Sequence, residues 1–281
     1  MSSLEPELSG EERALIAFFD DVAQPTFTDP KFRNGELTEK EGGEKVGELD
    51  IAVQEAFLKM TKRRFPSHAI VSEEQAYVWP PKTPNCLVFD PLDGTHNEAV
   101  GLGTFGCMLT AISNRKLAAT VILVPWQEEV CGDGLYLAIR GQGAWQRVRG
   151  IWKKLRVSKV DRLDQSFAFF EGPPQFTGAS NEFRRLWDAV RRKRNNMSCA
   201  ISFTRLAGSN NQKLSAELCL AMGNTKPVDN IHGILMTEEA GGKVTGVYGQ
   251  PWSFANFANL IFSNGLVHEA ALRCLSGNMP I

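Results

Sequence analysis

The chain has 281 residues, of which 43% are hydrophobic and 22% charged, with a formal net charge of -1. That composition excludes disorder as the default and allows a large core, in one compact unit of two closely packed halves. The balanced charge leaves no footprint for a nucleic-acid polymer, no apolar run is long enough to span a bilayer, and the first ten residues carry no secretory pattern, so a cytoplasmic protein without membrane partners is expected.

Residues 11–22 place Leu15, Ile16, Phe18 and Phe19 among acids and predict an amphipathic helix, interrupted by Pro25 and Pro30. Residues 31–45 are polar and glycine-rich, which predicts a loop or loose hairpin and a candidate flap. A second helix is expected over 48–63, with Asp50 in its first turn and Lys59, Lys62, Arg63 and Arg64 suited to its C-terminal end. Pro66 closes it, and Ala69, Ile70 and Val71 form a short strand that runs into Glu73 and Glu74.

A proline-rich loop then leads to Leu87, Val88 and Phe89, a buried strand that ends on Asp90-Pro91-Leu92-Asp93-Gly94-Thr95. Two carboxylates, a hydroxyl and the N–H groups of a tight turn suggest a divalent metal with a phosphate. The same residues are also ordinary turn formers, so the stretch alone fits a solvated turn as well.

Strands are expected at 107–112, 118–124 and 134–138, with a further hairpin at Gly141, Gly143 and Trp145, in an antiparallel or mixed sheet. The chain is expected to pass between halves over 157–174, giving an N-terminal half of residues 1–160 and a C-terminal half of 161–281. The second half opens with a strand at 166–170 and a helix at 182–194 whose basic run, Arg191 to Arg194, forms its last turn. A strand at 202–206 and a helix at 214–222 are expected next. Asp229 then begins a helix that stops at Glu239-Ala240-Gly241-Gly242, and as a helix cap it needs no catalytic duty. The six cysteines lack metal-site spacing and read as reduced, mostly buried thiols.

Taken together, Asp90-Pro91-Leu92-Asp93-Gly94-Thr95 with Asn97, the pair Glu73-Glu74, and Asp229 followed by Glu239-Ala240-Gly241-Gly242 resemble the signatures of the inositol monophosphatase-like, magnesium-dependent and lithium-sensitive phosphatases. Asp50 falls on the last Asp of that family's Asp-x-Val-Thr-x-x-Asp segment, and Val46 keeps its valine. The resemblance covers most of the chain in order. It implies an α/β (α+β) fold, a layered α-β-α-β-α sandwich of the sugar-phosphatase type with mixed or antiparallel sheets, and a homodimer. It also implies that Glu73, Asp90 and the Leu92 carbonyl hold one Mg²⁺, and that Asp90, Asp93 and Asp229 hold a second. Asp50 and Glu73 would touch a third, weaker ion or its water, and the Gly94 and Thr95 N–H groups would bind phosphate. Mn²⁺ would substitute, and Ca²⁺ or Li⁺ would inhibit.

The residues support such a site independently. Gathered carboxylates repel unless cations neutralise them, and hard oxygen donors without Cys or His select Mg²⁺, Mn²⁺ or Ca²⁺ over zinc. Hydrolysis of a phosphate ester follows, by metal-activated water that Thr95 with Asp50 or Glu73 orients and deprotonates. Departures concern the substrate. Gly47 replaces the family's Thr, Val228 its Trp, His96 its commoner Thr or Lys, and the stretch before Asp229 is short. Arg205, Ser209, Asn210, Asn211 and His232, with His96, are the candidate substrate contacts. The expected substrate is a small sugar, polyol or inositol-type phosphate, with histidinol phosphate, fructose 1,6-bisphosphate and adenosine 3′,5′-bisphosphate as alternatives. A catalytically silent metal-binding regulatory protein is the alternative of another class.

Overall fold

A computed structural model of the chain describes residues 5–32, 37–39, 45–125, 134–172, 181–208, 215–223, 226–255, 257 and 259–277. Helix α1 (Gly10–Phe18) starts at Ser9, whose hydroxyl accepts from the Glu12 N–H while the Glu12 carboxylate accepts from the Ser9 N–H. The helical path does not stop at Pro25 as expected. A π-type turn, Phe19–Ala23, feeds α2 (Gln24–Thr28), and Pro25, which has no N–H to donate back along the path, lies just after that turn. Strands β1 (Leu37–Glu39) and β2 (Lys45–Gly47) pair antiparallel, so the polar segment before Asp50 is built on a hairpin. Helix α3 (Glu48–Arg64) follows directly.

The large sheet has seven strands in chain order: β3 (Ala69–Ser72), β4 (Cys86–Asp93), β5 (Gly106–Ser113), β6 (Lys116–Leu123), β7 (Leu135–Ile139), β8 (Gly143–Val148) and β9 (Ile151–Lys154). The pair β3 and β4 is parallel and the others are antiparallel. Alternation along β4 decides its neighbours. Leu87 and Phe89 join the core under α1 and α3, where the Phe57 ring stacks on Phe89 at 3.9 Å, while Cys86 and Val88 join the core on the opposite face.

That opposite face is covered by α6 (Cys199–Ala207) and α7 (Pro227–Glu239), which form a middle helical layer. Gly233 lets them approach, because a Cβ there would lie 2.4 Å from the Phe203 ring. Behind them lies a five-stranded sheet in the order β11 (Arg192–Arg194), β10 (Phe167–Glu171), β12 (Leu218–Ala221), β14 (Leu260–Ser263) and β13 (Lys243–Gly246). Cys219 and Ala221 face the middle layer, and Leu218 and Leu220 face outward to α5 (Asn181–Ala189) and α8 (His268–Ser276). A short helix, α4 (Thr95–Ala99), leaves the end of β4. The layers therefore alternate α-β-α-β-α. Helices from beyond residue 160 cover the inner face of the seven-stranded sheet, so the two halves share one central core.

Three expectations are corrected. The segment 202–206 lies inside α6 and is helical, not a strand. The expected helix at 214–222 instead holds strand β12, Leu218–Ala221, and none of its described residues is helical. The basic run does not end a helix. Helix α5 stops at Ala189, and Arg192–Arg194 forms the edge strand of the small sheet, where charges discourage pairing with another chain.

Candidate active site

Because β3 and β4 are parallel, their carboxyl ends lie side by side, and the Glu73 N–H donates to the Phe89 carbonyl at 3.2 Å. This brings the acids after each strand together, and the N-terminal turn of α7 adds Asp229. One carboxylate oxygen each of Glu73, Asp90 and Asp229 lies within 4.8 Å of the others. Asp90 is only 1% exposed, and burial raises its pKa well above the usual value, with the charges of Glu73, Asp93 and Asp229 adding to the rise. Burial and then Glu73 raise that of Asp229, against the lowering effect of its bond from the Lys226 N–H. Acids so placed cannot share full ionisation without a cation, and their all-oxygen donor set suits a hard divalent ion such as Mg²⁺.

Asp229 has both a capping contact and a place beside the other acids. Its Oδ2 accepts the Lys226 N–H at 2.6 Å, closing the first turn of α7, and another of its contacts is with the acid cluster. Asp50 is similarly shared. In the first turn of α3 its Oδ2 accepts the Gly47 N–H at 3.0 Å, while its Oδ1 accepts the Thr95 hydroxyl at 2.9 Å. Burial pushes Asp50 up to about 7, opposed by those two hydrogen bonds and assisted by Glu74 and Glu73. The Thr95 hydroxyl also reaches the Leu92 carbonyl at 3.0 Å. Gly94 turns the chain at φ +88°, and a Cβ there would lie 3.0 Å from the Thr104 carbonyl oxygen.

Asp93 is placed differently from the other acids. Its Oδ1 accepts the Cys199 N–H at 3.0 Å, and its Oδ2 accepts the Ala200 N–H at 2.8 Å and the Ser198 hydroxyl. It thus closes the N-terminus of α6 and stands outside the group of three carboxylates. Behind it lies Glu171, a buried acid at the end of β10 that accepts the Ser202 hydroxyl at 2.6 Å and that burial pushes to about 7. Sequence reasoning passed over Glu171 although it shows the same signal as Glu73 and Asp90, a carboxylate at the end of an apolar strand. Lys226 was also passed over. Its Nζ lies 3.6 Å from a Glu73 oxygen.

The expected substrate contacts do not gather in one place. His96 is exposed on α4. Arg205 sits six residues into α6, about 9 Å along the helix from the end that Asp93 caps. His232 is fully buried, with Nδ1 2.9 Å from the Thr110 hydroxyl, and burial lowers its pKa to about 3. It belongs to the core between α7 and β5, not to the cleft, because its helical turn faces the sheet. Ser209, Asn210 and Asn211 lie outside the described residues. Asn97 ties the site instead, donating to the carbonyls of Thr104 and Asn196 at 2.7 Å each.

The family model described as the Inositol monophosphatase family matches residues 14–278. A Thermotoga maritima protein named fructose-1,6-bisphosphatase/inositol-1-monophosphatase is 28% identical over 231 residues, covering 82% of each chain. The chloroplastic phosphatase IMPL1 of Arabidopsis thaliana is 27% identical over 248 residues, 84% of this chain, which spans only 62% of that relative's length. Among solved structures, the Thermotoga maritima IMPase superposes with a TM-score of 0.79 at 22% identity, covering 95% of this chain and 98% of the other. An IMPase/NADP phosphatase solved with NADP and Ca²⁺ gives 0.81 at 20% identity, covering 98% of both.

Proposed function

From the premise that this chain belongs to the inositol monophosphatase family and is a phosphatase, a phosphoric monoester hydrolase, we propose that it hydrolyses a small sugar, polyol or inositol-type phosphate with Mg²⁺. The carrying observation is the three-carboxylate group of Glu73, Asp90 and Asp229 beside the Asp50–Thr95 hydrogen bond. Glu73, Asp90, Asp229 and the Leu92 carbonyl are the ligands proposed for the first two ions. Asp93 uses three of its roughly four acceptor positions on α6, which leaves one for the second ion. Bound divalent ions supply Lewis-acid neutralisation of the phosphoryl charge.

The protein's own residues handle the proton. The Thr95 hydroxyl proton is directed at Asp50 Oδ1 and the Leu92 carbonyl, so its oxygen lone pairs remain to receive a hydrogen bond from water. As water attacks phosphorus, its proton passes to Thr95 Oγ while the Thr95 proton passes to Asp50. Asp50, whose pKa burial lifts to about 7, can accept that proton in its ionised form and release it again near neutral pH. The ester oxygen leaves as an alkoxide that takes a proton from solvent to become the alcohol, Asp50 returns its acquired proton to solvent, and inorganic phosphate forms without a phosphoenzyme. The N–H groups of Gly94 and Thr95 are the proposed phosphate contacts.

The names of the relatives span several substrates: fructose 1,6-bisphosphate, inositol monophosphate and NADP. Histidinol phosphate and adenosine 3′,5′-bisphosphate complete the set to compare. Phosphate release from this panel is expected with Mg²⁺, and loss of release in EDTA and in Asp90→Asn. Failure to release phosphate from any ester with Mg²⁺ or Mn²⁺ would sink the proposal and favour a metal-binding regulatory protein. Inhibition by Ca²⁺ and Li⁺, and a homodimer in solution, are parts of the same proposal.

A further inference from the structure

Lys226 stands at the N-cap of α7, three residues before Asp229. Its N–H donates to Asp229 at 2.6 Å, and its ammonium lies 3.6 Å from Glu73. One residue therefore touches two of the three clustered carboxylates, one through its backbone and the other through its side chain. The side chains of Lys226 and Glu73 are 31% and 21% exposed, whereas Asp90 is 1% exposed, so the ion pair lies at the mouth of the cluster and Asp90 at its floor.

We propose that Lys226 is an exchangeable counter-charge: it neutralises Glu73 in the ion-free cluster, gives way when a divalent ion engages that carboxylate, and then anchors the phosphate at the mouth. This rests on the divalent site proposed above. An ammonium and a divalent cation drawn to the same carboxylate repel each other strongly at a few ångströms. Lysine can yield because its charge is compact and carried on a flexible four-carbon stem, while its backbone stays fixed in the turn of α7. The displaced ammonium remains beside the cleft, where a dianionic phosphate is its natural partner. One side chain thus opposes metal binding and favours phosphate binding. A purely structural salt bridge would not give these opposite signs.

Calorimetric titration of Mg²⁺ into the EDTA-stripped full chain tests the first half, and titration of inorganic phosphate at saturating Mg²⁺ tests the second. Lys226→Met is expected to bind Mg²⁺ about tenfold more tightly and phosphate about tenfold more weakly than the wild type, the scale of one unit charge beside a partly solvated ion. Lys226→Arg is expected to restore both toward wild type. Should Lys226→Met fail to fold, Lys226→Gln takes its place. Wild-type binding of Mg²⁺ with no tightening in Lys226→Met would overturn the counter-charge alone. Unweakened phosphate binding would overturn the anchor. No Mg²⁺ uptake by the wild type would overturn the divalent site, and this inference with it.

Discussion

Two imidazoles in the core have hydroxyl partners: His232 meets Thr110 at 2.9 Å, and His268 meets Ser263 at 2.7 Å and Thr245 at 2.9 Å. Burial lowers their pKa values from 6.5 to about 3 and about 4. Below pH 6.5 the unfolded chain takes up protons that the folded chain refuses. The stability that each neutral ring contributes is therefore whole above pH 6.5 and is lost progressively as pH falls toward those lower values. Asp50 and Glu171, both pushed to about 7, act with the opposite sign, since the stability of their protonated forms is lost as pH rises through 7. Comparing wild type with His232→Gln cancels the acids, because both proteins keep them. In urea unfolding, the stability advantage of the wild type is expected to shrink by about 2 kcal/mol per histidine between pH 7.5 and pH 5. An advantage that stayed constant would mean that His232 takes up its proton in the folded state.

At the scale of elements, the N-terminus of α6 couples the large sheet to the middle layer. Its first N–H groups are distributed between Asp93, at the end of β4, and Ser198, which accepts from Ile201 at 3.5 Å. Asp93→Ala would leave two buried N–H groups and the Ser198 hydroxyl without their acceptor, and a loss of about 2–3 kcal/mol in denaturant unfolding is expected. Ser198→Ala, which removes a cap, is expected to cost about 1 kcal/mol. Unchanged stability in Asp93→Ala would show that this carboxylate does not hold the helix. The same helix explains what could be read in advance. Every residue of α6 except Arg205 is buried, so its helical period vanished, and its β-branched and aromatic residues imitated a strand. β12 is buried on both faces and lost its alternation in the same way. By contrast α3 and α7 were legible because Asp50 and Asp229 open them and cations or glycines close them. Glu73 and Asp90 were legible because strands and turn formers frame them. Glu171 carries the same local mark, an acid closing the apolar strand β10, but nothing local ties it to the other acids, whereas Lys226 joins the cluster through tertiary contact alone.

For the whole molecule, the acid cluster is a stability debt built into a junction of layers, since β3, β4 and α7 must each bring a carboxylate to one point. Asp90 is part of it, fully buried among Glu73, Asp93 and Asp229, and burial with their charges raises its pKa well above the usual value. Because its folded pKa is raised, the stability of its protonated form is complete at acid pH and is lost as pH rises, so the ion-free protein is weakened most at alkaline pH. Mg²⁺ bound as proposed would reverse this by binding only the folded chain, with an expected gain of about 2.7 kcal/mol at a hundredfold excess over its dissociation constant. Calorimetric scans should therefore show a higher Tm in Mg²⁺ than in EDTA, by several degrees for a chain of this size. Asp90→Asn sharpens the test. It removes the charge but keeps the shape, so it is expected to melt above wild type in EDTA, with the gap widening from pH 5 to pH 8, to gain little from Mg²⁺, and to release no phosphate. On the proposed reading, function is held at the expense of the ion-free fold. If Asp90→Asn melted below wild type in EDTA at pH 8, repulsion among these acids would not be what Mg²⁺ relieves, and the divalent site would have to be sought elsewhere in the cleft.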